Sequence, residues 1–177
     1  MNQSRIDRPS RFVSLQKTTL MLLFAIAMCV VTGRQAFATQ GALCIPVHAT
    51  IEALFVATGC TSPVGLCTAG QITGGVLNGQ TSFTALGIAT AAGMTGIEPD
   101  TTLSYHGVLE ISTRHGTLTI SDIGVFDQAF GVYSEVGRIT AGTGRFENAT
   151  GTLFIYGNAF PDGSGFNGAI RGKVCLK

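Results

Sequence analysis

Residues 136–151 read VGRITAGTGRFENATG. A strand-like run, Arg138-Ile139-Thr140-Ala141, enters the turn Gly142-Thr143-Gly144. A short knob follows, Arg145 to Ala149, and Thr150-Gly151 opens another strand-like run, TLFIYGNAF. Glycines in such a turn allow positive φ and close backbone approach. Phe146 is then an apolar plug for one end of the fold, with Arg145 and Glu147 left in water.

Outward from this stretch, the rest of the chain has the same character. Residues 43–58, LCIPVHATIEALFVAT, alternate: Ile45, Val47, Ala49, Ile51, Ala53, Phe55 and Ala57 share one face, while Cys44, His48, Thr50 and Glu52 share the other. Period two is the signature of a strand with one buried face. Pro46 suits an edge or a strand beginning. Further strands are expected over 67–77, 81–92, 101–112, 117–126, 132–141, 150–159 and 166–176. Asn78-Gly79 is a hairpin signal, and Thr73-Gly74-Gly75 falls inside the second strand on this reading. Residues 92–100 form a loop, and Pro161 to Gly165 a turn. Eight strands, short turns and no helical segment predict an all-β fold, an eight-stranded antiparallel meander closed into a barrel.

The first 38 residues differ from the remainder. Arg5, Arg8, Arg11 and Lys17 precede the apolar run Thr18 to Thr32, and Ala36-Phe37-Ala38 is a small-x-small site. That order predicts a signal peptide over 1–38, a single barrel domain over 39–177, and a secreted or periplasmic protein with no membrane anchor after cleavage. The chain carries 11 Lys+Arg and 10 Asp+Glu; subtracting five basic residues and one acidic residue from the leader leaves 6 against 9, a net charge of −3. No basic cluster remains, so nucleic acid is excluded as a partner on electrostatic grounds.

Four cysteines lie beyond the leader: Cys44, Cys60, Cys67 and Cys175. They allow three pairings, with metal binding as the competing use. No C-x-x-C pair occurs, and no histidine lies near Cys60 or Cys67. In an exported domain two disulfides are expected. Cys44 lies on the polar face of the first strand, and Cys175 on the face of the last strand that carries Asn167, Arg171 and Lys173. If the end strands pair, a Cys44–Cys175 bond clamps the seam and Cys60–Cys67 is a local staple.

The segment Ile139-Thr140-Ala141-Gly142-Thr143-Gly144-Arg145-Phe146, then Ala149 and Gly151, is similar to the strand–GGTG–(K/R)F–x–x–A–x–G segment of dirigent proteins. The same type of barrel occurs in allene oxide cyclases. Ala141 stands where the dirigent version has its first glycine. The resemblance implies a calycin-like barrel that holds a reactive apolar molecule in one conformation without a cofactor, and a homo-oligomer, dimer or trimer. It assigns no functional residue in this chain.

Candidate chemistry comes from polar residues on apolar strand faces. Asp122 shares a face with Leu118, Ile120, Gly124 and Phe126. A carboxyl there is desolvated and its pKa rises, unless a bulge at Asp122-Ile123-Gly124 turns it to solvent. Tyr105 sits with Leu103, Gly107, Leu109 and Ile111; Glu135 sits with Tyr133, Gly137 and Ile139. These three are the candidate catalytic residues. His48 and Glu52, His106 and His115 are expected on the surface. No metal or phosphate-binding motif is present, so no cofactor or metal is expected. The expected function is binding of a small apolar ligand in the barrel, with cofactor-free cyclase or isomerase chemistry. The alternative is a non-enzymatic structural or carrier protein whose barrel is plugged by Phe55, Phe83, Phe126 and Phe154.

Overall fold

The computed structural model describes residues 42–90 and 101–177. The expected signal peptide, its cleavage site and the loop over 92–100 lie outside the described residues. The barrel consists of β1 (Leu43–Phe55), β2 (Cys67–Thr73), β3 (Gly79–Thr90), β4 (Thr102–Thr113), β5 (Gly116–Asp127), β6 (Val132–Gly142), β7 (Thr150–Ala159) and β8 (Gly165–Leu176). Each strand pairs antiparallel with the next, and β8 returns to β1 to close the barrel. Closure leaves no full-length edge to template aggregation. Pro46 fits a barrel because β1 pairs with β2 only from Thr50 onward; before that its one partner is β8.

The seam runs from Leu43 opposite Leu176 to Leu54 opposite Gly165. Cys44 and Cys175 are direct register partners there and form a disulfide. Cys60 and Cys67 form the second disulfide, across a sequence separation of 7. The first is the bond expected if the end strands pair, the second is the local staple expected beside it, and both fit an oxidising compartment.

Inward-facing residues follow period two. On β1, Val47, Ala49, Ile51 and Ala53 are buried while His48, Thr50 and Glu52 are exposed. The strand ends at Phe55, three residues earlier than the alternation suggests, because the chain then turns into the loop held by Cys60–Cys67. Phe154 is a correction: it is 50 % exposed, on the outside of the barrel. Its neighbours Leu153 and Ile155 point inward and are fully buried, so strand parity puts Phe154 out.

The two ends of the barrel differ. At one end lie the β2–β3, β4–β5 and β6–β7 connections, and it is closed. Residues 144–146 form a 3-10 turn that delivers Phe146 into the core at 1 % exposure, with Arg145 and Glu147 in solvent. Gly144, at φ 58°, packs its backbone against His115; Arg145 donates its backbone N–H to the His115 carbonyl at 2.8 Å. Thr117 donates its N–H to the Thr143 hydroxyl at 3.0 Å. The plug is thus tied to the β4–β5 turn beside it. The β2–β3 connection adds Leu77, fully buried. This connection is a second correction. Asn78-Gly79 is not a two-residue hairpin turn: Gly74 and Gly75 take φ 119° and 56°, residues 75–77 make a 3-10 turn, and β3 begins at Gly79. Burying Leu77 favours the longer connection, and the two glycines read as strand residues are what make it possible.

Candidate functional site

The β1–β2, β5–β6 and β7–β8 connections lie at the opposite end, which is open among the described residues. Here a cavity of about 90 Å³ enters the barrel. Six aromatic rings line it: Phe55, Phe83, Tyr105, Phe126, Tyr133 and Phe166. Five of them, all but Phe126, meet edge to face, with Tyr133 and Phe166 ring centres 5.0 Å apart and Phe83 and Tyr105 6.1 Å apart, the geometry that aromatic quadrupoles prefer. Leu66 and Thr68 enter from the β1–β2 loop and the start of β2. The Cys60–Cys67 bond braces that rim, as do the Ser62 hydroxyl, which donates to the Ala85 carbonyl at 2.6 Å, and the Ala85 N–H, which donates to the Leu66 carbonyl.

The structure brings Tyr105, Asp122 and Glu135 together at the cavity floor. Tyr105, Gly124 and Glu135 are side by side on β4, β5 and β6; Gly107, Asp122 and Gly137 form the next row inward. Every polar side chain in this block is flanked by glycine. A Cβ on Gly124 would lie 2.6 Å from the Tyr105 ring and 2.8 Å from Glu135 Cγ. Glycine there is what lets the phenol reach across β5, and the Tyr105 hydroxyl donates to Glu135 Oε1 at 2.5 Å. So short an O–H···O contact is typical of a charge-assisted bond to an ionised carboxylate.

Asp122 is 3 % exposed, and no bulge turns it out; the irregularities in these sheets fall at Ala85–Gly87 and Thr119–Ile120. Neither of its oxygens has a hydrogen-bond partner, and the buried Tyr133 hydroxyl has none either. Two ionised carboxylates offer only acceptors, so a bond between Asp122 and Glu135 forms only through a proton carried by one of them. Burial, then the nearby Glu135 charge, pushes the Asp122 carboxyl up to about 8. Burial also raises Glu135, opposed by hydrogen bonding to it from Tyr105 and by its interaction with Asp122. Like charges in one dry site do not both ionise readily, so the two carboxyls titrate as a pair and hold a proton between them near neutral pH. Burial and the Glu135 charge hold the Tyr105 and Tyr133 phenols far above their ordinary value, and both stay neutral.

Glu135 and Tyr105 face the cavity, whereas Asp122 lies beneath them and does not line it. Phe55, Phe83 and Phe126 line the cavity without filling it. His48, Glu52, His106 and His115 are exposed on the outer wall or in turns. Tyr133 is the polar residue that strand reading passed over; its place two positions before Glu135 on the same face was the available signal. Thr68 and Leu66 carried none, since their arrival depends on the loop. Among the described residues no cluster of His, Cys, Asp and Glu is arranged to hold a metal. No protein-family model matches the chain, and no curated protein and no solved structure matches it either.

Proposed function

We propose that the protein is an exported barrel, secreted or periplasmic, that binds a small, largely apolar molecule at its open end. The observation that carries this is the aromatic cavity with one polar feature, the Tyr105–Glu135 pair, on its floor. Binding sites are commonly concave and apolar with a few convergent polar groups. At about 90 Å³ the enclosed part is smaller than the roughly 150 Å³ apolar cavity that accepts benzene. It takes a compact group, with any longer tail leaving through the mouth. The likeness of residues 139–151 to the dirigent segment supports the same reading.

A second reading, cofactor-free isomerisation or cyclisation, draws on the Glu135 carboxyl beside a neutral phenol donor. A carboxylate desolvated to this degree is a stronger base than one in water, and confinement orders the substrate. The rival, a filled and inert barrel, is favoured by the packing of the closed half. Self-association belongs to the same proposal. The outer row Ile123, Val136 and Phe154, adjacent on β5, β6 and β7 and 62 %, 40 % and 50 % exposed, is the surface a second copy would cover; sedimentation of Phe154→Glu beside the parent protein measures it.

Native mass spectrometry of protein purified from its own host tests ligand binding. A co-purifying small mass that is lost in Ala159→Leu, which narrows the cavity, is the expected result. Its repeated absence, with melting unchanged across a panel of apolar compounds, favours the filled barrel.

A further inference from the structure

Glu135 is the one acidic residue among the described residues lining the cavity. Its carboxyl sits among six aromatic rings, and its hydrogen-bond partner, Tyr105, carries no charge. When such a group ionises in an apolar site it normally needs an opposite charge beside it. Yet none of the described residues lining the cavity is a lysine, arginine or histidine. The connections at the open end cannot supply one. Residues 56–66, 91–101, 128–131 and 160–164 read VATGCTSPVGL, AAGMTGIEPDT, QAFG and FPDGS, with no basic residue among them.

The charge of the whole barrel is arranged the same way. Of the basic residues after position 38, Arg114 and Arg145 lie in closed-end turns, and Lys173 and Lys177 lie at or beyond the closed-end half of β8. Arg138 and Arg171 are on the outer wall. Asp127 and Asp162 border the open end, and Glu52 points outward near it. Glu110 and Glu147 are the acids toward the closed end. A mouth bordered by one sign of charge, with low-dielectric walls, concentrates ligands of the opposite sign.

Taking the open end as a ligand site, as proposed above, the geometry points to an organic cation with a methylated ammonium head as its ligand. Such a ligand brings the positive charge that the cavity lining lacks and favours the ionised form of Glu135. Aromatic faces attract such a head through their quadrupoles, and a cage of rings is a recurrent way to hold one. The hydrogen-bonding capacity of the cavity decides between kinds of ammonium. A primary ammonium has three N–H donors to satisfy, and the polar side chains lining the cavity are few: Glu135, one of whose oxygens Tyr105 already engages, the Tyr105 and Tyr133 phenols, and Thr68. A quaternary ammonium has no N–H and leaves nothing unsatisfied. Its compact, ball-shaped head also suits the cavity volume, with the rest of the molecule directed out of the mouth.

The test compares choline with 3,3-dimethylbutan-1-ol, which has the same shape and no charge, by calorimetric titration into the exported protein. Choline should bind roughly tenfold or more tightly than the neutral isostere. Glu135→Gln should remove that preference while leaving binding of the isostere in place. Phe126→Leu keeps the wall apolar, sits at the rim where folding tolerates change, and should weaken choline severalfold with the isostere unaffected. It decides the matter if Glu135→Gln fails to fold. Equal or tighter binding of the isostere overturns the cation assignment and leaves the apolar-ligand reading standing. Binding of neither probe overturns both. A choline preference unchanged in both variants puts the cation elsewhere and overturns the assignment too.

Discussion

The closed and open ends of this barrel are made by the same eight strands, yet they are built on opposite principles. At the closed end the turns fold inward and deliver Phe146 and Leu77 into a core of fully buried aliphatic side chains such as Ile111, Leu118, Leu153 and Val174. At the open end large rings meet edge to face and leave space between them, and two carboxyls lie among apolar side chains. One end gains stability from close packing. The other gives some of it up to hold unpaired polar groups among apolar walls. Separating the two along the barrel axis keeps the site's cost away from the plug.

The largest effect that could break this comparison comes from the plug. Phe146→Ala should cost about 3–5 kcal/mol, the usual range for emptying a buried phenylalanine site. Phe126→Ala, at the partly exposed rim, should cost only about 1–2 kcal/mol, since its surroundings are already part empty. Equal losses in denaturant unfolding would mean the ends are equally packed.

Next come the disulfides. Cys44 and Cys175 are 131 residues apart and Cys60 and Cys67 only 7. On the chain-entropy account, replacing the first pair by serine should cost roughly 4–5 kcal/mol and the second roughly 2–3 kcal/mol. Guanidinium midpoints of the two double variants rank them. A second pair as costly as the first would show that its role is to brace the cavity rim rather than only to shorten a loop.

A pH series sharpens the contrast in charge. Asp122 titrates near 3.8 in an unfolded chain and near 8 in the barrel. The stability that comes from keeping it neutral is complete below pH 4 and is lost as pH climbs through 8; the raised Glu135 contributes with the same sign. Unfolding free energy should therefore fall between pH 5 and pH 9, by on the order of 3 kcal/mol. Asp122→Asn, which mimics the neutral acid, should flatten most of that slope. A slope that is the same in the variant would move the titration to another group.

The smallest effect belongs to the solvated flanks of the plug. Arg145→Ala and Glu147→Ala should each change stability by less than about 0.5 kcal/mol. A larger loss in thermal melting would mean these side chains hold the knob in place, and that Phe146 does not seat by apolar burial alone.

Much of the site was legible because a strand reports its faces directly. Tyr105, Asp122 and Glu135 each occur on an otherwise apolar face beside a glycine, and period two is enough to point all three inward. Their meeting was not legible. It depends on register, which sets Tyr105 beside Gly124 and Gly124 beside Glu135, and register is a relation between strands that no one strand contains. Phe154 shows the same limit from the other side: it is apolar, but its parity with Leu153 and Ile155 faces it outward. Gly74 and Gly75 looked like strand glycines because nothing local says that the turn must lengthen to bury Leu77.

By itself the sequence determined the strand faces, the closing of first strand on last through Cys44 and Cys175, and the plug at Phe146. The strand faces and the plug follow from local alternation and turn chemistry; the seam bond was one of three possible cysteine pairings, the one that paired end strands favour. Tertiary structure alone decided which end stays open, how much room the rings leave there, and that Glu135 has no basic partner among the described residues around it. Those are properties of the enclosed space, and the space exists only once all eight strands stand around it.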